Sequence, residues 1–262
     1  MGVILGFDGV YKHDTGSLIE EKSQMKIPPS WVFKACRSYK GLLPGPSINP
    51  HKKTALEELE YAIENKAVLI KWLPSAQGID PSVKDLMPFY RLLAENGLPL
   101  LVHIGGERTF AEVAPELNDI LLLRPALDAG VTIICAHSGT PVLGSGERDQ
   151  IPDIEKMIGE YDRLFLDNSG ILNPGRFHAV KRLLGKEVLL QRMLYGSDWP
   201  VPTNSFYFPR ALGFRKMRQL EKQKNPLFRD LLTKRSLGFG EESEFRAARV
   251  LPHIDYWHSL AR

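Results

Sequence analysis

The sequence predicts an α/β fold of the (β/α)8, TIM-barrel type. Three observations carry this. Short apolar runs alternate along the chain with segments of helical spacing, the order of parallel β/α units. The runs are continuously apolar rather than alternating, so both faces of each strand are buried. No G-x-G-x-x-G follows the first run, and "GFDGVY" is a poor substitute, so the competing open doubly wound sheet loses its main support.

The strands are expected at Val3–Phe7, Leu42–Ile48 (proline-rich), Val68–Trp72, Leu98–His103, Val131–Ala136, Leu164–Leu166 and Met193–Tyr195. Between them, "TALEELEYAIEN" opens with a capping box, Thr54 with Glu57, and sets Leu56, Leu59, Ala62 and Ile63 on one face. "PFYRLLAENG" starts with Pro88 in its first turn and stops at Asn96-Gly97. A segment over Leu117–Ala129 ends at Gly130, kinked or split by Pro125.

At 262 residues, with 43% hydrophobic and 25% charged side chains, the chain is expected to form one domain, 1–262, around a sizeable core. The 34 basic and 31 acidic residues leave a net charge of only +3. Basic residues cluster only in "LGFRKMRQLEKQK" and "LTKRSL", read as solvated helix faces, so nucleic acid is not an expected partner. No apolar stretch reaches the ~18 residues of a membrane span, and the opening lacks a signal-peptide pattern. Cys36 and Cys135 lack metal-type spacing and fit a reducing cytoplasm.

Chemistry in such a barrel sits at the C-terminal strand ends. His103 closes "LPLLVH", His137 follows "VTIICA", Asp198 lies just past "MLY", and Lys71 is penultimate in "VLIKW". Imidazole and carboxylate suit a divalent ion such as Zn²⁺, which lowers the pKa of bound water to about 7. A nearby carboxylate can take that water's proton, and a second histidine can act as acid or base. Gly196 would permit the sharp exit ahead of Asp198, and Trp199-Pro200 would stiffen the chain beyond it. The plainer reading of Asp198 is an Asx-type turn before proline.

"LPLLVHIGGE", "VTIICAHSGTP", "LFLDNSG" and "MLYGSDWPVP", in this order, resemble the amidohydrolase-related branch of the amidohydrolase superfamily, which includes the aminocarboxymuconate-semialdehyde decarboxylase-like enzymes. "GPSINPHKKTALEELEYAI" and "VLIKWLPSAQGIDP" are similar to its middle strands, and "ESEFRAARVL" to its closing helix. The resemblance implies a metal-ligand role for His103, a ligand and proton-accepting role for Asp198, and a catalytic or supporting role for His137. It also implies a metal-dependent hydrolase, or a non-oxidative decarboxylase, acting on a small carboxylated or cyclic molecule. A metal-independent lactone hydrolase and an inactive barrel used for ligand binding are the alternatives.

One departure stands against the matches. Family members carry a His-x-His pair on the first strand, whereas here His13 stands alone in "YKHDTG". The first strand present corresponds to the family's second, so the barrel is expected to be incomplete at its N-terminus, and zinc binding weak. Lys71 could be carbamylated and bridge two metals; pairing with a substrate carboxylate or with Glu107 is the more ordinary role. Glu107 and Arg108 either face the substrate or belong to a solvated loop. His51, His178, His253 and His258 are expected to be surface or structural. The tail "PHIDYWHSLAR" is suited to docking on the barrel or on a second subunit of a homo-oligomer.

Overall fold

The computed structural model describes residues 1–260; Ala261 and Arg262, the end of the tail, lie outside the described residues. Its strands are β1 (Gly2–Leu5), β2 (Leu42–Gly45), β3 (Ile70–Trp72), β4 (Leu100–His103), β5 (Ile133–Ala136), β6 (Leu164–Asp167) and β7 (Met193–Leu194). All pair in parallel, as β1-β2 and as β3-β4-β5-β6-β7. Single bonds from the Val68 N–H to the Pro44 carbonyl (2.9 Å) and from the Lys71 N–H to the Pro46 carbonyl (2.9 Å) join the two sets. The strands thus succeed one another in chain order, as staves of a TIM-type barrel.

Each expected strand exists, most of them shorter than expected, while β6 runs one residue longer, to Asp167. The proline-rich second run pairs only over Leu42–Gly45, because Pro44 and Pro46 have no N–H to extend the ladder. In register, Val102 faces Cys135 and Leu166 faces Met193, so apolar side chains meet across each pair. Trp72 is fully buried, packs near Phe89 and Tyr90 (ring centroids 5.5 and 6.1 Å) and donates its indole N–H to the Ile48 carbonyl. Burying a large apolar side chain of this kind contributes roughly 2–3 kcal/mol.

The barrel does not close. Among the described residues β7 pairs only with β6, and its outer edge is covered by the helix Glu242–Val250. The Tyr195 N–H donates to the Ser243 carbonyl (2.8 Å), and the Arg246 guanidinium donates to the carbonyls of Met193 and Leu190. A sheet edge that would otherwise invite a further strand is satisfied by a helix backbone and one arginine.

Local details correct parts of the sequence reading. Thr54 precedes the helix Ala55–Glu64 with φ −94° and ψ 12°, and its side chain makes no cap bond. Its hydroxyl instead reaches Glu58 Oε1 (2.9 Å), so the expected capping box is absent. Leu56 is exposed while Leu59 and Ala62 are buried. The 117–129 segment is split, its last part being the helix Arg124–Asp128 with Pro125 in the first turn, and Gly130 comes next but one with φ +87°. "LTKRSL" is not a wholly solvated face, since Lys234 is 1% exposed. The tail helix Ile254–Leu260 docks on this same chain, with Trp257 buried and its indole N–H donating to the Lys66 carbonyl (2.7 Å).

Candidate active site

The ends of β3 to β7 bring Lys71, His103, His137, Asp167 and Asp198 to one mouth of the barrel. His103 is the last residue of β4, His137 comes directly after β5, Asp167 ends β6 and Asp198 lies four residues past β7. The rings of His103 and His137 meet edge to face with centroids 4.8 Å apart. His137 Nδ1 lies 3.9 Å from Asp198 Oδ2.

The backbone here is held in rare conformations. His137 (φ +56°), Ser138 (φ +53°) and Asp198 (φ +61°) all occupy the left-handed region, which non-glycine residues enter only where surroundings over-determine them. Asp167 supplies much of that determination. Its Oδ1 accepts from the His137 N–H (2.8 Å), the Ser169 N–H (3.0 Å) and the Ser169 hydroxyl (2.5 Å), and its carbonyl accepts from the Ser138 hydroxyl (2.7 Å).

The sharp exit after β7 is made by Asp198 itself. Gly196 serves another need: a Cβ there would lie 2.8 Å from Ser169 Cβ. Its N–H donates to Asn168 Oδ1 (3.1 Å), and its carbonyl accepts from Lys234 Nζ (2.7 Å). Gly170 leaves the space in which His137 and Asp198 approach, since a Cβ there would stand 2.7 Å from Asp198 Oδ2 and 3.1 Å from His137 Nδ1. The Trp199-Pro200 peptide bond is cis.

The histidines are neutral. Burial pushes His137 well below the ordinary imidazole range, with the positive charge of Arg176 adding to the effect. Its Nδ1 faces the Ser169 carbonyl (3.0 Å), which assigns the proton to Nδ1 and leaves the Nε2 lone pair free of hydrogen bonds among the described residues. Burial pushes His103 down to about 3, against the opposing pull of Glu107. His103 Nε2 bonds the Gly106 carbonyl (3.0 Å), and Nδ1 lies 3.4 Å from Glu107 Oε2, a polar contact rather than an ion pair with the ring neutral.

Glu107 turns inward. Burial works against its charge, but His103 and the N–H groups of Thr109, Phe110 and Arg108, all bonded to Oε1, together hold its carboxyl below the usual range. Glu107 therefore anchors the loop after β4, whereas Arg108 points to solvent. The expected Lys71–Glu107 pair does not form: among the described residues Lys71 Nζ has no hydrogen bond and no carboxylate within 4.0 Å. Burial pushes Lys71 down to about 8. Burial, helped by Asp167, pushes Asp198 up to about 6 although Lys71, Arg176 and Lys234 oppose it.

Two further cations belong to this mouth. Arg176 is 4% exposed, donates to the Thr140 and Gly106 carbonyls, and feels the charges of Asp198, Glu147 and Glu107. Lys234 reaches in from the helix Pro226–Leu237, with Nζ 2.7 Å from Asp230 Oδ2 as well as from the Gly196 carbonyl. Sequence reasoning misses both, since Arg176 sits in "NPGRFH", a loop with no periodic signal, and Lys234 in a run that looks like a polar helix face. It also misses Asp167, although a carboxylate at the end of "LFLD" carries the same strand-end signal as His103.

The donor set does not fit a divalent cation. Among the described residues no three His, Cys, Asp or Glu side chains converge to hold one. His103, the expected ligand, is neutral and has a single lone pair, and with its nitrogens facing the Gly106 carbonyl and Glu107 that lone pair lies against a protein oxygen instead of opening toward Asp198. Of the other histidines, His51 is half-buried against His13 (centroids 4.6 Å) and pushed down to about 4, and His178 and His258 are exposed.

A family model described as Amidohydrolase matches residues 16–230. No curated protein matches the chain. Solved structures do. An uncharacterised TIM-barrel protein from Bordetella bronchiseptica aligns with TM-score 0.58 and 16% identity, over 95% of this chain and 78% of that one. A candidate 2-pyrone-4,6-dicarboxylic acid hydrolase from Pseudomonas putida gives TM-score 0.50 and 18% identity, over 80% and 77%. The apo form of IDCase from Metarhizium anisopliae gives TM-score 0.52 and 12% identity, over 84% and 67%. At these identities the likeness is one of fold.

Proposed function

Given a chain that belongs to the amidohydrolase family, and is thereby a hydrolase or decarboxylase, we propose that it hydrolyses a small, carboxylated, cyclic ester with Asp198 as general base. The observation that carries this reading is the carboxyl of Asp198, pushed up to about 6 at the barrel mouth beside His137. A carboxylate with such a value is ionised at neutral pH and basic enough to take a proton from water as that water attacks.

The remaining residues then divide the work. Asp198 accepts the proton of the attacking water and returns it to the departing alkoxide as the tetrahedral intermediate collapses. Arg176 and Lys71 bind the substrate carboxylate and favour the oxyanion, acting in a site where burial strengthens their fields. His137 presents a neutral Nε2 as an acceptor for a substrate hydroxyl or for the attacking water. His103, Glu107 and Asp167 hold these groups in place. The two buried, unpaired thiols Cys36 and Cys135 support a reducing cytoplasm as the setting, and among the described residues no helix is long and apolar enough to cross a membrane.

The test is proton release from a panel of carboxylated lactones. Turnover is expected to rise with pH through about 6 and to fall ~10²–10⁴-fold in Asp198→Asn. Lactones that bind without turnover at any pH would instead mark an inactive, ligand-binding barrel.

A further inference from the structure

Two lysines are buried at the barrel mouth, and only one is paired. Lys234 (1% exposed) gives its ammonium to Asp230 Oδ2 and to the Gly196 carbonyl, both at 2.7 Å. Lys71 (6% exposed) rises from β3 between buried Ile70 and Trp72, and among the described residues its Nζ has neither hydrogen bond nor ion pair. A buried ammonium without a partner is costly, and loss of its proton relieves the cost. The carboxylates of Asp167, Asp198 and Glu107 act on it only from beyond ion-pair distance. Arg176, a second buried cation, shares with Lys71 the neighbourhood of His103, His137 and Asp198.

We propose that Lys71 is a nucleophilic amine that condenses reversibly with the carbonyl carbon of a small oxo acid, whose carboxylate is held by Arg176, to form an imine. A desolvated lysine amine is the ordinary protein nucleophile for such a step, and the downward push on Lys71 agrees with this. The Nζ lone pair forms the C–N bond as the carbonyl π bond breaks, and the oxygen takes the proton that the nitrogen gives up, giving a neutral carbinolamine. The nitrogen lone pair then forms C=N as the C–O bond breaks, the hydroxyl departs as water with a proton from the Asp198 carboxyl, and the protonated imine returns its second proton to the Asp198 carboxylate. Amine and carbonyl become imine and water, with no change of oxidation state. Imine formation at Lys71 does not depend on lactone hydrolysis.

Glyoxylate with sodium cyanoborohydride, which reduces the imine to a secondary amine, tests it on the full chain without any known substrate. Peptide mass spectrometry at limiting reagent should show Lys71 alkylated on the order of tenfold faster than exposed Lys224, and Lys234 unmodified. Arg176→Gln should remove that preference, and acetaldehyde, which has no carboxylate, should not show it. Labelling of Lys71 no faster than Lys224 would overturn the nucleophile assignment. Equal labelling by acetaldehyde, or a preference unchanged in Arg176→Gln, would overturn the oxo-acid assignment. Failure of lactone turnover would leave both labelling results standing.

Discussion

Asp198 Oδ2 stands 3.9 Å from His137 Nδ1, and the space for that approach is the missing side chain of Gly170. The two residues follow different strands, both residues have left-handed backbone, and Asp167 between them bonds the His137 N–H. The mouth is thus a set of strained positions held by shared hydrogen bonds.

Gly170→Ala should therefore be among the most damaging small substitutions in the chain. Its φ of +64° disfavours any side chain, and the new methyl would press on both Asp198 and His137. A stability loss of about 1 kcal/mol or more is expected in urea denaturation, with displacement of the His137 ring signals in NMR. An unchanged midpoint and unchanged His137 signals would refute the crowding argument.

Asp198→Asn should separate catalysis from stability. The folded state raises the Asp198 pKa from 3.8 to about 6, so the folded protein binds this proton more tightly than the unfolded chain does. The stability from that preference is present below pH 3.8 and is lost as pH rises through about 6. Asparagine has no charge to bury, so the variant should melt higher than wild type above pH 6 and match it at acid pH. Near-normal turnover in the variant would return Asp198 to the status of a turn residue, since asparagine suits that turn equally well.

Lys234→Met should unfold the protein more readily. It leaves Asp230 buried with a single hydroxyl donor, Tyr195 (2.9 Å), and its Oδ1 already has no partner. Breaking a buried pair from one side costs about 3–5 kcal/mol. Adding Asp230→Leu should recover most of the loss, because the double variant buries no charge. Chemical denaturation of the two variants checks both statements.

The 262-residue chain should hold no stoichiometric, chelator-resistant zinc. The His103 nitrogens face Gly106 and Glu107, and no third ligand joins Asp198 among the described residues. A catalytic zinc site usually has three protein ligands and an open position. Elemental analysis after dialysis against chelator decides it, and a full equivalent of retained zinc would mean that the ligands rearrange on binding.

Periodicity and apolarity are local properties of the chain, and they are enough to locate the parallel strands and to place Lys71, His103 and His137 at strand ends. "GSDWP" marks Asp198 in the same way, as a carboxylate just past an apolar run. Most of the expected strands are too long because apolar residues such as Val68 and Leu98 continue into the core outside the ladder. The expected Thr54 cap is absent because its backbone is not extended, a property that residue types alone do not determine.

What only the tertiary structure decided is which polar groups share space. Nothing local to "NPGRFH" or "LTKRSL" shows that Arg176 and Lys234 turn inward, because their burial depends on Gly106, Thr140, Gly196 and Asp230 lying against them. Lys71 and Glu107 look like partners in sequence. The loop after β4 instead claims Glu107 with its own backbone N–H groups, and Lys71 is left unpaired among the described residues. Side-chain type and strand position are written in the sequence; protonation state, pairing and the 3.9 Å approach of His137 to Asp198 depend on desolvation and on neighbours from other strands.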